Sequence, residues 1–394
     1  MTVIEAPVKT HRSGSRVFSV TERPRKPQPQ RAPIEPEGQR LVVAWGDPGP
    51  ARQMLETVLE EVLPATGVPF TLVEFDLSIK GRRKDTHAVY KAAKKMQEVG
   101  YGVKSATIGP EDKESQGLPN ANIELRRKTG AAAIRRSIRP IRGVTAYEGG
   151  GFTVVRYADD LAAEKSEGTG DDKTVTRTEV ISVRRSRHVA NYAFELAERL
   201  QNPGLSMEPE NVVVLYGSRA ANMVKSYSVF DEAVDAASRL HQSVPYEAMP
   251  ADKLHTTLPH PDSRHIIIPS MEEPGDMLSH IALGLTGVPL GTVPSMTLAL
   301  DEERPRVVWT DTMHGIGRSM DTEDGRDYVN PMATVLAVAD VLYSMHDNPK
   351  AQFAGYTMRQ AVGTVIAAGV RTPDLGGKAT TEEFINALKS EVAI

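Results

Sequence analysis

From Arg40 onward the chain alternates two hydrophobic periods. The stretch RLVVAWGD reads as a buried strand, ARQMLETVLEEVL as an amphipathic helix, FTLVEFDLS as a strand, HAVYKAAKKMQEVG as a helix and VKSATIGP as a strand. Strands in strict alternation with helices of this length leave few choices, because each strand needs a helix on its face to bury it. The fold class is therefore α/β, with a layered sheet. Further on, VTAYEGGGFTVVRYAD reads as strand, glycine-rich bend and strand. RHVANYAFELAERLQ and YSVFDEAVDAASRLHQ are helices, and NVVVLYG, RHIIIPS and PRVVWT are strands. NPMATVLAVADVLYSM, TMRQAVGTVIAAGV and TEEFINALKSEV close the chain as helices.

Residues 1–38 break this pattern. They are rich in Arg, Pro, Gln and Ser and poor in large apolar residues. Such a segment cannot bury enough to fold alone, so it is expected to be a disordered arm, free or bound to a partner protein. Residues 158–179 are polar and contain glycine, which suits an exposed loop or an extended hairpin arm.

Composition excludes several chemistries. There is no cysteine, so thiolate nucleophiles, thiolate metal sites and disulfides are ruled out. The net charge of -4 argues against a surface built for nucleic acid. No apolar run approaches the roughly 20 residues of a membrane span, and the first residues lack the apolar core of a signal peptide. Cytoplasmic residence is the expectation. No strand is followed by GxGxxG, and neither GxxxxGK[ST] nor GxSxG occurs.

Two features invite chemistry. In GDMLSH, Asp276 and His280 stand four apart at a helix start, on one helix face. They are either a pair of metal ligands or two solvated polar residues. In ELRRKTGAAAIRRSIRPIRG, Arg126, Arg127, Lys128, Arg135, Arg136, Arg139 and Arg142 crowd together, and Arg156 follows on a strand. Arginines on regular elements suit bidentate capture of carboxylate or phosphate, although a solvated basic face has the same composition. His255, His260 and His265 form no strict pair on one helix face and read as surface or supporting residues.

The C-terminal motifs are more specific. GVRTPDLGGKATTEEFINAL, GVPLGTVPSM and HGIGRSMDTEDGRDYVNPMATVL resemble the isocitrate/isopropylmalate dehydrogenases, the metal-dependent β-decarboxylating dehydrogenases. GDPGP looks like a shortened form of that family's GDGIGP, NIELRR is similar to its N-x-x-L-R, and IRPIR to its R-P-V-R. The resemblance runs in order from about residue 40 to the end. It implies an isocitrate/isopropylmalate dehydrogenase-like fold: a large α/β domain from residues 39–143 and 284–394, with a smaller α/β domain, 144–283, inserted. It also implies a homodimer whose intersubunit arm is 158–185.

Site residues follow from the same resemblance. The ligand is expected to be a small anionic hydroxy or keto acid. Arg126, Arg139 and Arg156 match the carboxylate-clamping arginines, although Arg126 and Arg139 stand farther apart than expected and Arg136 is an alternative. Asn120 and Asn122 fall near positions that contact the ligand's variable group. Asp252, Asp276 and His280 match the metal ligands, Asp252 being supplied by the second subunit. His280 stands where an aspartate is expected, so the site would suit Mg²⁺ or Mn²⁺, or a softer ion, or have lost metal. NAD or NADP is implied on His314, Gly315 and Asn330, with Arg318, Arg326, Asp321 or Asp327 choosing between them. Ala220 falls on the family's proton-accepting lysine and Ala163 on its tyrosine, while Glu272 replaces an asparagine. Each such acid–base group contributes about 10²–10⁴ in rate, so the chemistry is expected to be altered or absent.

Overall fold

The computed structural model describes residues 39–109, 113–158, 163–202, 206–207, 210–221, 224–260, 262–301, 305–311 and 327–393. The expected arm at 1–38 lies outside them.

Residues from Gly38 onward form one compact unit built on a ten-stranded sheet. The strands are β1 (Gln39–Trp45), β2 (Phe70–Asp76), β3 (Tyr101–Lys104), β4 (Ala133–Ile138) and β5 (Phe152–Tyr157). They continue as β6 (Ala163–Glu167), β7 (Thr174–Thr178), β8 (Val212–Ser218), β9 (Tyr246–Pro250), β10 (His265–Ser270), β11 (Ser295–Leu300) and β12 (Pro305–Asp311). In space the order is β2-β1-β3-β12-β11-β4-β5-β10-β8-β9, while β6 and β7 form a separate hairpin. The first four and the last four strands are two parallel sets. Antiparallel pairings through β11, β4 and β5 join them, so the two sets run in opposite directions. The sheet strands from 144–283, namely β5, β10, β8 and β9, lie together at one end of this order.

Burial explains the strands. Leu41–Ala44 of β1 are fully buried on both faces, as parallel strands between helix layers must be. In β5 all six residues are buried, Arg156 included. The sequence reading missed β4, β9 and β11, and VTAY, expected as a strand, is irregular. Glycines at 149–151 hold that segment against the chain: a Cβ at Gly150 would sit 2.5 Å from the carbonyl carbon of Arg264.

GDPGP joins the ends of β1 and β3. A Cβ on Gly46 would lie 1.8 Å from the Ala106 carbonyl oxygen, so only glycine fits. Asp47 is buried and accepts from the backbone N–H of Ile79 (2.6 Å) and Ile108 (2.7 Å), with Arg82 3.9 Å away. The RTPDLGG motif is a second tie. Thr372 donates to Asp374 (2.5 Å), and Asp374 accepts from the Asn330 amide (2.9 Å).

Candidate functional site: an arginine cluster on one face of the sheet

Strand pairing sets this site. Ile134 of β4 lies opposite Arg156 of β5, and Arg136 lies opposite Val154. Directly paired residues share a face, so Arg136 and Arg156 are diagonal neighbours on that face. The helix Glu272–Thr286 packs across β5. Gly275 makes the contact close: a Cβ there would be 2.5 Å from Arg156 Cβ. The helix then presents Glu272, Asp276 and His280 to the arginines. Arg156 Nη1 donates to Glu272 Oε1 (2.5 Å), and its Nη2 lies 3.1 Å from Asp276 Oδ1. Arg136 Nη1 is 3.7 Å from Asp276 Oδ1 and 3.4 Å from His280 Nε2.

Arg126 arrives from a third element, the helix Ala121–Thr129. Burial depresses its pKa most. The neighbouring Arg156 charge adds to that, and Asp311, Glu272 and Asp276 oppose it. The same order holds for Arg136, where burial and then Arg156 depress the pKa and Asp276 opposes. The three guanidiniums thus feel one another's charge. Among the described residues, no acceptor reaches the buried Nε of Arg126.

Behind Arg126 is an ion pair that sequence reasoning missed. Lys104, fully buried at the end of β3, donates to Asp311 Oδ1 (3.3 Å) and to the Ser105 carbonyl (2.9 Å). Burial depresses its pKa, and Asp311 opposes. Its one sequence signal was a lysine inside a stretch read as a strand. Arg177 of the hairpin also reaches in, lying 3.6 Å from Glu272 and 3.3 Å from Glu273.

Several expected residues are placed differently. Arg139 does not join the cluster: its Nη1 donates to Glu210 (2.6 Å) on the other side of the sheet. Side chains alternate across a strand, and Arg139 is three residues from Arg136, so the two head to opposite faces. Arg136 is the third member. Asn120 caps the 121–129 helix, its Oδ1 accepting from Asn122 N (2.9 Å) and Ile123 N (3.3 Å). Asn122 Oδ1 is buried with no donor among the described residues. Asn330 is buried, with Oδ1 on Met332 N (2.9 Å) and Nδ2 on Asp374. His314 and Gly315 lie outside the described residues, as do Arg318, Asp321 and Arg326. Ala220 is half-buried after β8, and Ala163 opens β6 opposite Thr178. His265, read from sequence as a surface or supporting residue, is buried.

The metal fit is poor within one chain. Arg136 Nη1 stands between Asp276 and His280, where a divalent ion shared by the two would sit. Asp252 is exposed on the helix Ala251–Thr257, and no three His, Asp or Glu converge among the described residues.

With this geometry in view, comparison with known proteins is informative. The isocitrate/isopropylmalate dehydrogenase family model matches residues 49–388. The chain belongs to the isocitrate/isopropylmalate dehydrogenase family. It is 26% identical over 357 residues to a 3-isopropylmalate dehydrogenase of Archaeoglobus fulgidus, covering 89% of this chain and 98% of that one. It is 27% identical over 337 residues to an isocitrate/homoisocitrate dehydrogenase of Thermus thermophilus, covering 84% and 93%. To a decarboxylating D-malate dehydrogenase of Escherichia coli it is 26% identical over 229 residues, covering 58% and 59%. The crystal structure of isocitrate dehydrogenase from Methylococcus capsulatus superposes with a TM-score of 0.73 at 19% identity, covering 90% of this chain and all of that one. That likeness concerns the isocitrate/isopropylmalate dehydrogenase-like α/β fold. Among the described residues, no helix is long and apolar enough to cross a membrane.

Proposed function

We propose that this family member binds a small anionic hydroxy or keto acid on Arg126, Arg136 and Arg156, with chemistry altered from that of its dehydrogenase relatives. The observation that carries this reading is the Arg126 guanidinium, whose buried Nε lacks an acceptor beside two further arginines. A buried donor without an acceptor is costly, and an incoming carboxylate relieves it. Glu272 and Asp276 pair with Arg156, so a ligand carboxylate must compete with them. Asn122 offers its buried carbonyl oxygen to a ligand hydroxyl.

We take the family's acid–base pair to be lost from this chain. Ala220 and Ala163 carry no proton, and the buried Lys104 amine is held by Asp311. NAD or NADP, where bound, supplies a hydride acceptor. Divalent metal fits the single chain poorly, and its expected set needs Asp252 from a second subunit. We take the assembly to be a homodimer, joined in part by the exposed β6–β7 hairpin. The second reading is a catalytically silent regulatory or ligand-binding relative, favoured by Glu272 already seated on Arg156.

Calorimetry with isocitrate, 3-isopropylmalate and D-malate, the acids named for its relatives, tests binding. We expect saturable binding of at least one, weakened about 10–100-fold in Arg126→Gln, the range for one or two charge-assisted hydrogen bonds. Binding indifferent to that substitution overturns the site. Turnover with NAD⁺ or NADP⁺ and Mn²⁺ separates the readings: its absence, with binding intact, supports the silent relative.

A further inference from the structure

The opposite face of β4 carries a second arginine cluster that the reading above does not use. Arg135 and Arg139 project there, and the helices Val183–Gln201 and Pro349–Ala367 add Arg199 and Arg359. The four line a cavity of ≈ 60 Å³, together with Glu210 and Tyr343. The cavity adjoins a groove of ≈ 680 Å³ with which it shares Ser137, Arg139 and Arg359.

The charges there do not balance. Asp340 serves two of the arginines, lying 2.8 Å from Arg359 Nη1 and 3.6 Å from Arg135 Nη2. Glu210 serves Arg139 (2.6 Å) and also lies 3.3 Å from His265 Nδ1. His265 adds no charge near neutral pH: burial, then Arg139, pushes its pKa down to about 4. Arg199 donates to a ring nitrogen, His346 Nε2 (2.6 Å), rather than to a carboxylate. Among the described residues, four guanidiniums therefore meet two carboxylates. Glu195, one turn before Arg199, is a further acid among the described residues that feels its charge, and burial raises its pKa toward the neutral form. Counted as charged, it still leaves an excess of positive charge. The buried Nε of Arg139 has no acceptor among the described residues.

The four side chains are partly buried, and like charges gathered in a partly buried cavity without matching counter-charge repel one another, which a bound anion relieves. We propose that this cavity is a second anion-binding site, for a compact doubly charged oxyanion of the phosphate type. The anion is either free or the head group of a molecule whose apolar body lies in the adjoining groove, where Ile141, Val293, Pro294 and Leu336 supply an apolar wall. Planar, fork-like guanidinium donors match phosphate oxygens in pairs. The site stands apart from the first cluster, but β4 joins them: Arg135 faces the cavity and Arg136 faces the proposed acid-binding cleft.

The test is calorimetric titration of the full chain with orthophosphate and with butyl phosphate, at ionic strength matched with chloride. Wild type is expected to bind one phosphate saturably. Arg199→Gln, which leaves both buried carboxylates paired, should weaken binding about tenfold or more, and Arg199→Lys by less. Arg136→Gln, on the other face, should leave it unchanged. Tighter binding of butyl phosphate assigns the groove to an apolar body, and equal binding assigns the site to the free ion. The proposal is overturned if orthophosphate and butyl phosphate both fail to saturate. It is equally overturned if Arg199→Gln binds as wild type, or if Arg136→Gln alone abolishes binding. A melting curve of each variant in buffer identifies any that fails to fold, and for such a variant Arg199→Lys decides.

Discussion

Arg156 is held by a contact with no side chain on one side. Gly275 lets the 272–286 helix lie directly on its aliphatic stem, which aims both nitrogens at Glu272 and Asp276. Gly275→Ala puts a methyl group 2.5 Å from Arg156 Cβ. We expect a loss of about 1–3 kcal/mol, the usual range for overpacking, together with weaker acid binding. Urea denaturation and calorimetry of one preparation check both. His265 makes a separate prediction. Its pKa of about 4 in the fold lies below the ordinary 6.5, so between those values the unfolded chain takes up a proton that the native state refuses. Stability is complete above pH 6.5 and declines as pH falls toward 4, by ~1–3 kcal/mol at 1.36 kcal/mol per unit. Urea midpoints at pH 7.5, 6.0 and 5.0 should fall in wild type and fall less in His265→Gln; equal slopes would remove this residue from the account.

Among the elements, the β6–β7 hairpin is the least self-sufficient. Its β7 strand is exposed throughout, and Val175 is 60% exposed. A lone two-stranded hairpin is marginal in water, which is the physical ground for expecting a second subunit against it. Val175→Asp should shift sedimentation toward monomer at micromolar concentration while far-ultraviolet dichroism stays unchanged. The C-terminal helix Thr381–Val392 shows the opposite situation. Thr380 and Glu383 form a reciprocal cap, and Thr381 N donates to the Asp327 carbonyl (2.9 Å). Those bonds hold the segment that carries Asn330. Thr380→Ala should cost about 1 kcal/mol, measurable by denaturant titration.

At the scale of the molecule, two parallel sets of strands run in opposite directions and meet through β11, β4 and β5. Of the three arginines proposed to bind the acid, Arg136 and Arg156 lie on that join, so a ligand there would brace both sets. A saturating acid at 100 times its Kd should add about 2.7 kcal/mol, seen as a rise of several degrees in Tm that shrinks with added salt. Periodicity set the α/β class and the order of most elements, and the resemblance carried by the C-terminal motifs pointed to the family. Even so, VTAY is irregular where a strand was expected, and β4 passed unnoticed because its basic residues mask the alternation. Local patterns cannot show which strand lies beside which, and a strand's faces acquire meaning only once its neighbours are in place. Arg135, Arg136 and Arg139 illustrate the limit. Their chemistry is the same in one dimension, yet pairing β4 with β5 sends Arg136 to one face and Arg135 and Arg139 to the other. Pairing β3 with β12 likewise brought Lys104 and Asp311, 207 positions apart, into one ion pair beside Arg126. Residue type and spacing were properties of the chain; which cations share a cleft was decided by strand register, which is a long-range contact.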